Sequence, residues 1–411
     1  MDQYFRYNAV RQRLRVGPLS AYLDAFAQKL SDLGYAKDTG QDQLHTVARL
    51  SRWMISRNFP AEKLDEQVTK QFLQERQRQR GMRHTEPNTL TLLLEHLRQE
   101  GVVSPPAPSV GEDGLALVQR DFERYLLRER GLAAATVRNY LSVSRTFLTT
   151  HFNEQTADPR LLRPADVVGF VRRIAQAQPP RTAKFTITGL RALLRFLFVQ
   201  GRTATDLTSS VPTIPRWKVE ALPKPLDVHE VELLLKSCDR TTAVGKRDYA
   251  VLCLLARLGL RAGEVVALTL DDIDWHAGEL AVHGKGRTHE RLPLLAEVGQ
   301  ALVAYLREAR PSCPTRHLFV TARAPYQKLG RPTTVSRLVE QAIKRAALSP
   351  PKRGAHLLRH SLATSLLQRG ASLQEIGDVL GHRHPATTQI YARVDVAALQ
   401  ALAQPWPEEA L

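Results

Sequence analysis

The sequence predicts a mainly α-helical chain with one small antiparallel β-sheet: an α+β block in the last third, preceded by two all-helical blocks. Three observations carry this expectation. Apolar residues recur at helical spacing over long stretches such as 19–33, 115–130 and 246–258. Two proline-rich stretches, 104–114 and 203–225, interrupt that pattern, and proline removes a backbone donor and blocks helix continuation. Three short runs of strand character, at 273–275, 279–283 and 291–294, stand close together around glycine-containing turns.

The expected organisation follows from the two breaks. A helical domain covers 1–103, a linker 104–114, a second helical domain 115–202, a second linker 203–225, the mixed domain 226–393 and a tail 394–411. The first two blocks resemble each other. Leu93-Leu94 and Gly101 recur as Leu193-Leu194 and Gly201, and Gly34 precedes Thr39 as Gly131 precedes Thr136. Each block reads as an amphipathic helix, a Gly turn, a Thr cap, a second helix with aromatics and a last helix closed by Gly. This predicts a tandem pair of small helical modules. In the third block, helices are expected at 228–237, 246–258, 263–268, 297–309, 333–347, 357–369, 373–380 and 385–392.

With 411 residues the chain is long enough for two or three domains. Its net charge is +17, from 58 Lys and Arg against 41 Asp and Glu. Such an excess favours a polyanionic partner, because each cation placed on a phosphate releases condensed counterions. Cys238, Cys253 and Cys313 are sparse and form no C-x-x-C pair, which argues against a zinc site and suits a reducing cytoplasm. Residues 1–16 are polar and basic without an apolar core, unlike a secretory leader. No run approaches the roughly 18 apolar residues of a membrane span, so no membrane partner is expected.

The residues able to do chemistry cluster in the third block. Arg261 lies in Leu258-Gly259-Leu260-Arg261-Ala262-Gly263-Glu264 and is expected to end an apolar helix over 251–260. Its guanidinium suits a nonbridging phosphate oxygen, and Glu264 three residues on is placed to hold it. Lys285 occupies the tip of Gly284-Lys285-Gly286-Arg287, a hairpin turn able to carry an ammonium to a leaving oxygen. His356 and Arg359, three apart in His356-Leu357-Leu358-Arg359-His360, share a helix face, with His360 expected as a structural donor. His382 follows Gly381 at a helix end, and Tyr391 stands nine residues later. A phenol needs a cationic surround before it attacks, and Arg261, His356, Arg359 and His382 would supply one. Without a carboxylate or thiolate near the histidines, no metal or other cofactor is expected.

In this order and within one block, these motifs resemble those of the tyrosine recombinase (phage integrase) family. The resemblance covers about 225–393, and more loosely 115–201, which looks like that family's helical core-binding domain; residues 1–105 depart from its simpler members. It implies a catalytic set of Arg261, Lys285, His356, Arg359, His382 and Tyr391. It implies DNA cleavage through a 3′-phosphotyrosine without metal or ATP, serving integration, excision or transposition of a mobile element. Double-stranded DNA would be the partner, in a homotetramer on two duplexes, with accessory recombination proteins and a tail docking on a neighbouring subunit. A cytoplasmic, nucleoid-associated location goes with that reading. Two alternatives stay open: a type IB topoisomerase or hairpin telomere resolvase using the same residues, and a DNA-binding protein without chemistry, for which Tyr391 would have no use.

Overall fold

The computed structural model describes residues 1–80, 85–105, 114–152, 158–213, 225–284, 289–381 and 388. The chain forms two compact units, one of Met1–Ser104 with Ala221–Leu411 and one of Pro105–Glu220.

The first unit opens with α1 (Asn8–Leu14), α2 (Leu23–Asp32), α3 (Lys37–Ile55), α4 (Glu66–Arg80) and α5 (Glu86–Gln99). Their apolar faces meet in one core, with Phe26, Leu50 and Leu97 fully buried. The polar N-terminal stretch joins that core, because Met1, Tyr4, Phe5 and Leu14 are buried in it. Glu86, 0% exposed, is held by Arg49 at 3.1 Å and Arg76 at 3.0 Å.

The second unit is all-helical in its described residues. It holds α6 (Gly114–Arg124) extended by a π turn at Tyr125–Glu129, then α7 (Ala134–His151), α8 (Pro164–Ala177) and α9 (Pro180–Val199). Phe122, Phe147 and Phe196 centre its core. Residues 203–213, expected as extended linker, contain a 3-10 turn at Leu207–Ser210 and bury Leu207 and Val211 against that core.

The remaining part of the first unit is the predicted mix of helices and one small sheet. It comprises α10 (Val228–Lys236), α11 (Ala243–Arg257), α12 (Ala262–Ala267), β1 (Ile273–Asp274), β2 (Glu279–His283), β3 (His289–Pro293), α13 (Ala296–Glu308), α14 (Pro332–Arg345), α15 (Ala355–Gln368) and α16 (Leu373–Val379). The sheet is antiparallel in the order β1-β2-β3. Helix α11 is the hub, with Val251 to Leu255 all at 0% exposure and packing on α13 and α15. Capping fixes where helices begin: Asp227 accepts from Glu230 N at 2.7 Å while Glu230 accepts from Asp227 N at 2.9 Å, a reciprocal box opening α10.

Two local differences from the sequence expectation have physical causes. Strand β3 starts at His289 rather than 291, because pairing with β2 runs to His283↔His289. Helix α11 stops at Arg257 rather than 260, because Gly259 adopts φ +64 and turns the chain. The helix expected over 385–392 and the tail 394–411 lie outside the described residues.

Cys238 and Cys253 are buried, Cys313 is half-buried, and all three are free thiols. Burial pushes the Cys253 thiol up to about 12 and raises that of Cys238. Among the described residues no helix is long and apolar enough to cross a membrane.

Candidate active site

Arg261 is the N-cap of α12, not the end of the preceding helix as the sequence suggested. Four residues, 258–261, separate the two helices, with Gly259 in the left-handed region. One carboxylate organises this start. Glu264 Oε2 accepts from the Arg261 backbone N–H at 2.7 Å, and Oε1 accepts from Arg261 Nη1 at 2.6 Å. The side chain of Glu264 is 8% exposed and that of Arg261 35%. The guanidinium is therefore fixed on its Nη1 side and open enough elsewhere to meet a ligand.

Arg359 sits in the first turns of α15 and is buried. Its Nη1 donates to Gly259 O at 2.6 Å, and its Nη2 donates to Leu380 O. Arg261 Nη2 donates to the next carbonyl, Gly381 O, at 3.3 Å. The two guanidiniums thus grip the same turn at the end of α16, and Arg359 also grips the turn that presents Arg261. Gly381 adopts φ +60, and the Glu290 carboxylate from β3 fills the space a Cβ would need. Leu380 and Leu362 likewise fill the Cβ space at Gly259.

His356 is exposed one turn before Arg359 on α15. His360 is half-buried, with its ring centroid 6.5 Å from that of His356. Burial, and then the charges of His356, Lys352 and Arg359, lower the proton affinity of His360.

Lys285, His382 and Tyr391 lie outside the described residues, but the elements leading to them are seen. The hairpin that carries Lys285 is anchored at its base, where His283 Nε2 meets Asp272 Oδ1 at 2.7 Å. The other oxygen of Asp272 accepts from Thr269 N at 2.7 Å and Thr269 Oγ1 at 2.8 Å. Gly381 precedes His382 directly. Thr388, three residues before Tyr391, is 3% exposed and lies beside Gly377 of α16. Among the sequence-predicted residues the structure brings together Arg261, Glu264 and Arg359 at the Leu380–Gly381 turn, with His356 and His360 on the same helix as Arg359. It adds Asp272, His283 and Glu290, to which sequence reasoning gave no role; His283, which ends the strand expected over 279–283, stands two residues from Lys285. Among the described residues no group of three metal-binding side chains occurs.

Two guanidiniums meet at one turn, and one carboxylate, Glu264, both caps the backbone of Arg261 and holds its side chain. The phage integrase family model matches residues 224–397, and the SAM-like N-terminal domain model of phage integrases matches 120–201. A Sinorhizobium fredii protein named as an integrase/recombinase, y4rA, is 38% identical over 96% of this chain and 96% of its own. The chain belongs to the tyrosine recombinase family. The tyrosine recombinase XerD of Listeria monocytogenes is 34% identical over 67% of this recombinase and 93% of its own length. The XerH site-specific recombinase, solved bound to a palindromic difH substrate, shares the fold at TM-score 0.54 and 20% identity, covering 74% of this chain and 99% of that one. A lambda integrase dimer bound to a COC′ core site shares it at TM-score 0.51 and 16% identity, over 80% and 91%. Residues 1–103 of this recombinase lie outside both family matches.

Proposed function

We propose that this recombinase cuts and rejoins DNA strands at specific sites through a 3′-phosphotyrosine at Tyr391, for the integration, excision or transposition of a mobile element. The observation that supports this best is the pairing of Arg261 and Arg359 on consecutive carbonyls, Gly381 O and Leu380 O. That tie fixes both guanidiniums to the two residues that precede His382 in the chain. Donors fixed in advance stabilise the charge that builds on a phosphate oxygen in the transition state.

Tyr391 Oη forms a bond to phosphorus while its proton passes to His356. The bond from phosphorus to the 5′-oxygen breaks, and Lys285 protonates that oxygen. The product is a 3′-phosphotyrosine and a free 5′-hydroxyl. Arg261, Arg359 and His382 bind the phosphate oxygens throughout. A 5′-hydroxyl from another strand reverses the sequence, so no nucleotide cofactor or metal enters it.

Double-stranded DNA is the proposed partner, held by the basic helices of 115–202 as well as by the catalytic block. On α7, Arg138, Ser142, Arg145 and Thr149 lie at helical spacing and are all exposed. On α9, Lys184, Thr188, Arg191 and Arg195 repeat that spacing, all exposed or half-exposed. Helices α7 and α9 pack against each other. Two basic stripes on paired helices suit phosphate contacts on either side of a groove. Strand exchange would then require a tetramer on two duplexes, with the tail 394–411 docking between subunits, in the cytoplasm.

A nicked suicide duplex tests the reading. Wild-type protein should become covalently trapped on DNA and join it to a second duplex. Trapping that persists in Tyr391→Phe would refute the assigned nucleophile. Trapping followed only by self-resealing would point to a topoisomerase-like enzyme, and binding without trapping to a protein without chemistry.

A further inference from the structure

We infer that residues 1–104 are a second copy of the 115–202 module whose DNA-facing side is sealed by the chain's own first fourteen residues. The copy then serves as a protein-facing part of the catalytic unit and not as a second DNA clamp. This rests on the reading of α7 and α9 as DNA-facing helices.

The evidence for the copy is positional. Leu90, Leu93, Leu94, Leu97 and Gly101 stand one hundred residues before Leu190, Leu193, Leu194, Leu197 and Gly201. The eight leucines are all buried, and both glycines close their helices at positive φ, +71 and +63. Helices α3 and α7 align just as well, since buried Gly40, Val47, Leu50 and Ser51 correspond to buried Val137, Ser144, Phe147 and Leu148. A 3-10 turn stands between α3 and α4, Ala61–Lys63, as another does between α7 and α8, Pro159–Leu161. Leu64 and Leu162 follow these turns and are both buried.

The charges diverge where the cores agree. In the same alignment the exposed stripe Arg138, Ser142, Arg145 and Thr149 becomes Gln41, His45, Ala48 and Arg52. Ala48 is 1% exposed, so no arginine fits there. The cover is the N-terminus, which packs on the start of the stripe while His45 and Arg52 keep exposed surface. The Tyr4 ring occupies the space beside Gly40, Gln41 Nε2 donates to Tyr4 O at 2.6 Å, and the Phe5 and His45 rings meet edge-on at 5.5 Å. Arg52 Nη2 donates to Arg13 O at 2.8 Å further along. On the last helix, Arg191 and Arg195 become Thr91 and Glu95, and around the third helix Arg160, Arg163 and Arg173 become Glu62, Asp65 and Glu75. Seven arginines of the second copy thus have neutral or acidic counterparts in the first, where Arg52 in place of Thr149 is the one basic residue gained on the stripe, over core positions of matching burial. The sealed copy also clusters with the catalytic block in one compact unit, where the Tyr326 ring lies against Gly34.

The test uses the full chain and a random-sequence duplex, with affinity measured across a salt series. Each phosphate contact contributes about 0.9 to the slope of log K against log salt. Arg138→Gln with Arg145→Gln should lower the slope by about 1.8. The triple variant Lys37→Gln, Lys63→Gln, Lys70→Gln, which removes exposed charge from the first copy, should leave it unchanged. An equal fall in the triple variant overturns the sealed copy. A fall in neither set instead overturns α7 as a DNA-facing helix. Hydrogen exchange with and without the duplex gives a second readout that needs no substitution. DNA should slow exchange in 134–151 and leave 37–55 unaltered, and slowing in 37–55 refutes the inference.

Discussion

Arg261 and Arg359 donate to neighbouring carbonyls of one turn, Gly381 O and Leu380 O. The arginines come from chain segments nearly a hundred residues apart, and the turn they share introduces His382. Three separate motifs are thereby joined through backbone before any ligand arrives.

Removing Arg261 should show what this arrangement contributes. Arg261→Ala is expected to slow covalent trapping on a nicked duplex by about 10²–10³-fold, the usual cost of losing one fixed transition-state donor. Single-turnover trapping kinetics measure it.

Glu264 touches Arg261 and not the proposed phosphate, so it is a positioning residue. Glu264→Gln keeps an acceptor for the backbone cap and weakens the hold on the guanidinium. The expected loss is about tenfold in trapping rate, or about 1.4 kcal/mol, with duplex affinity unchanged. A matching fall in affinity would show that the residue acts through binding instead.

Gly259 makes a structural prediction. Its φ is +64, and Leu380 and Leu362 occupy the Cβ position. Gly259→Ala should cost about 1–3 kcal/mol from backbone strain and crowding. Thermal unfolding would report this as a lower Tm, accompanied by slower trapping because Arg359 binds the Gly259 carbonyl.

Glu86 joins two arginines inside the helical block of residues 1–104. It is fully buried and accepts from Arg49 and Arg76, which keep 33% and 21% of their side chains exposed. Glu86→Ala would leave both cations without it, at about 1–3 kcal/mol given their access to water. A lower urea midpoint is the expected result.

Acid sensitivity follows from two histidines. Burial lowers the proton affinity of His96 and of His360 in the folded chain. The unfolded chain then takes up protons first as pH falls below about 6.5, so stability is full above that value and declines beneath it. Phe196 stands in the place of His96 in the alignment of the proposed duplication, so His96→Phe should reduce the difference between urea midpoints at neutral and mildly acidic pH.

Much of this was legible in the sequence because the deciding signals are local. The periodic leucines, the glycine stops and the strand-turn-strand run located most helices and the sheet. Arg261 was misplaced on the wrong helix because an apolar run continues through Leu260 while one glycine torsion ends the helix at Arg257. Asp272 and Glu290 had no signature, since their partners His283 and Gly381 are set by tertiary folding. The N-terminus misled by its average: a polar, basic stretch conceals Met1, Tyr4, Phe5 and Leu14, whose burial depends on a helix that begins at Lys37.

The three cysteines leave the molecule with a ready attachment point. Alkylation proceeds through thiolate, which burial suppresses at Cys253 and Cys238. Cys313, half-buried on the stretch between α13 and α14, remains the accessible sulfur. A maleimide dye added to native protein should therefore modify one position, identifiable by peptide mass spectrometry, and yield a singly labelled reporter without engineering.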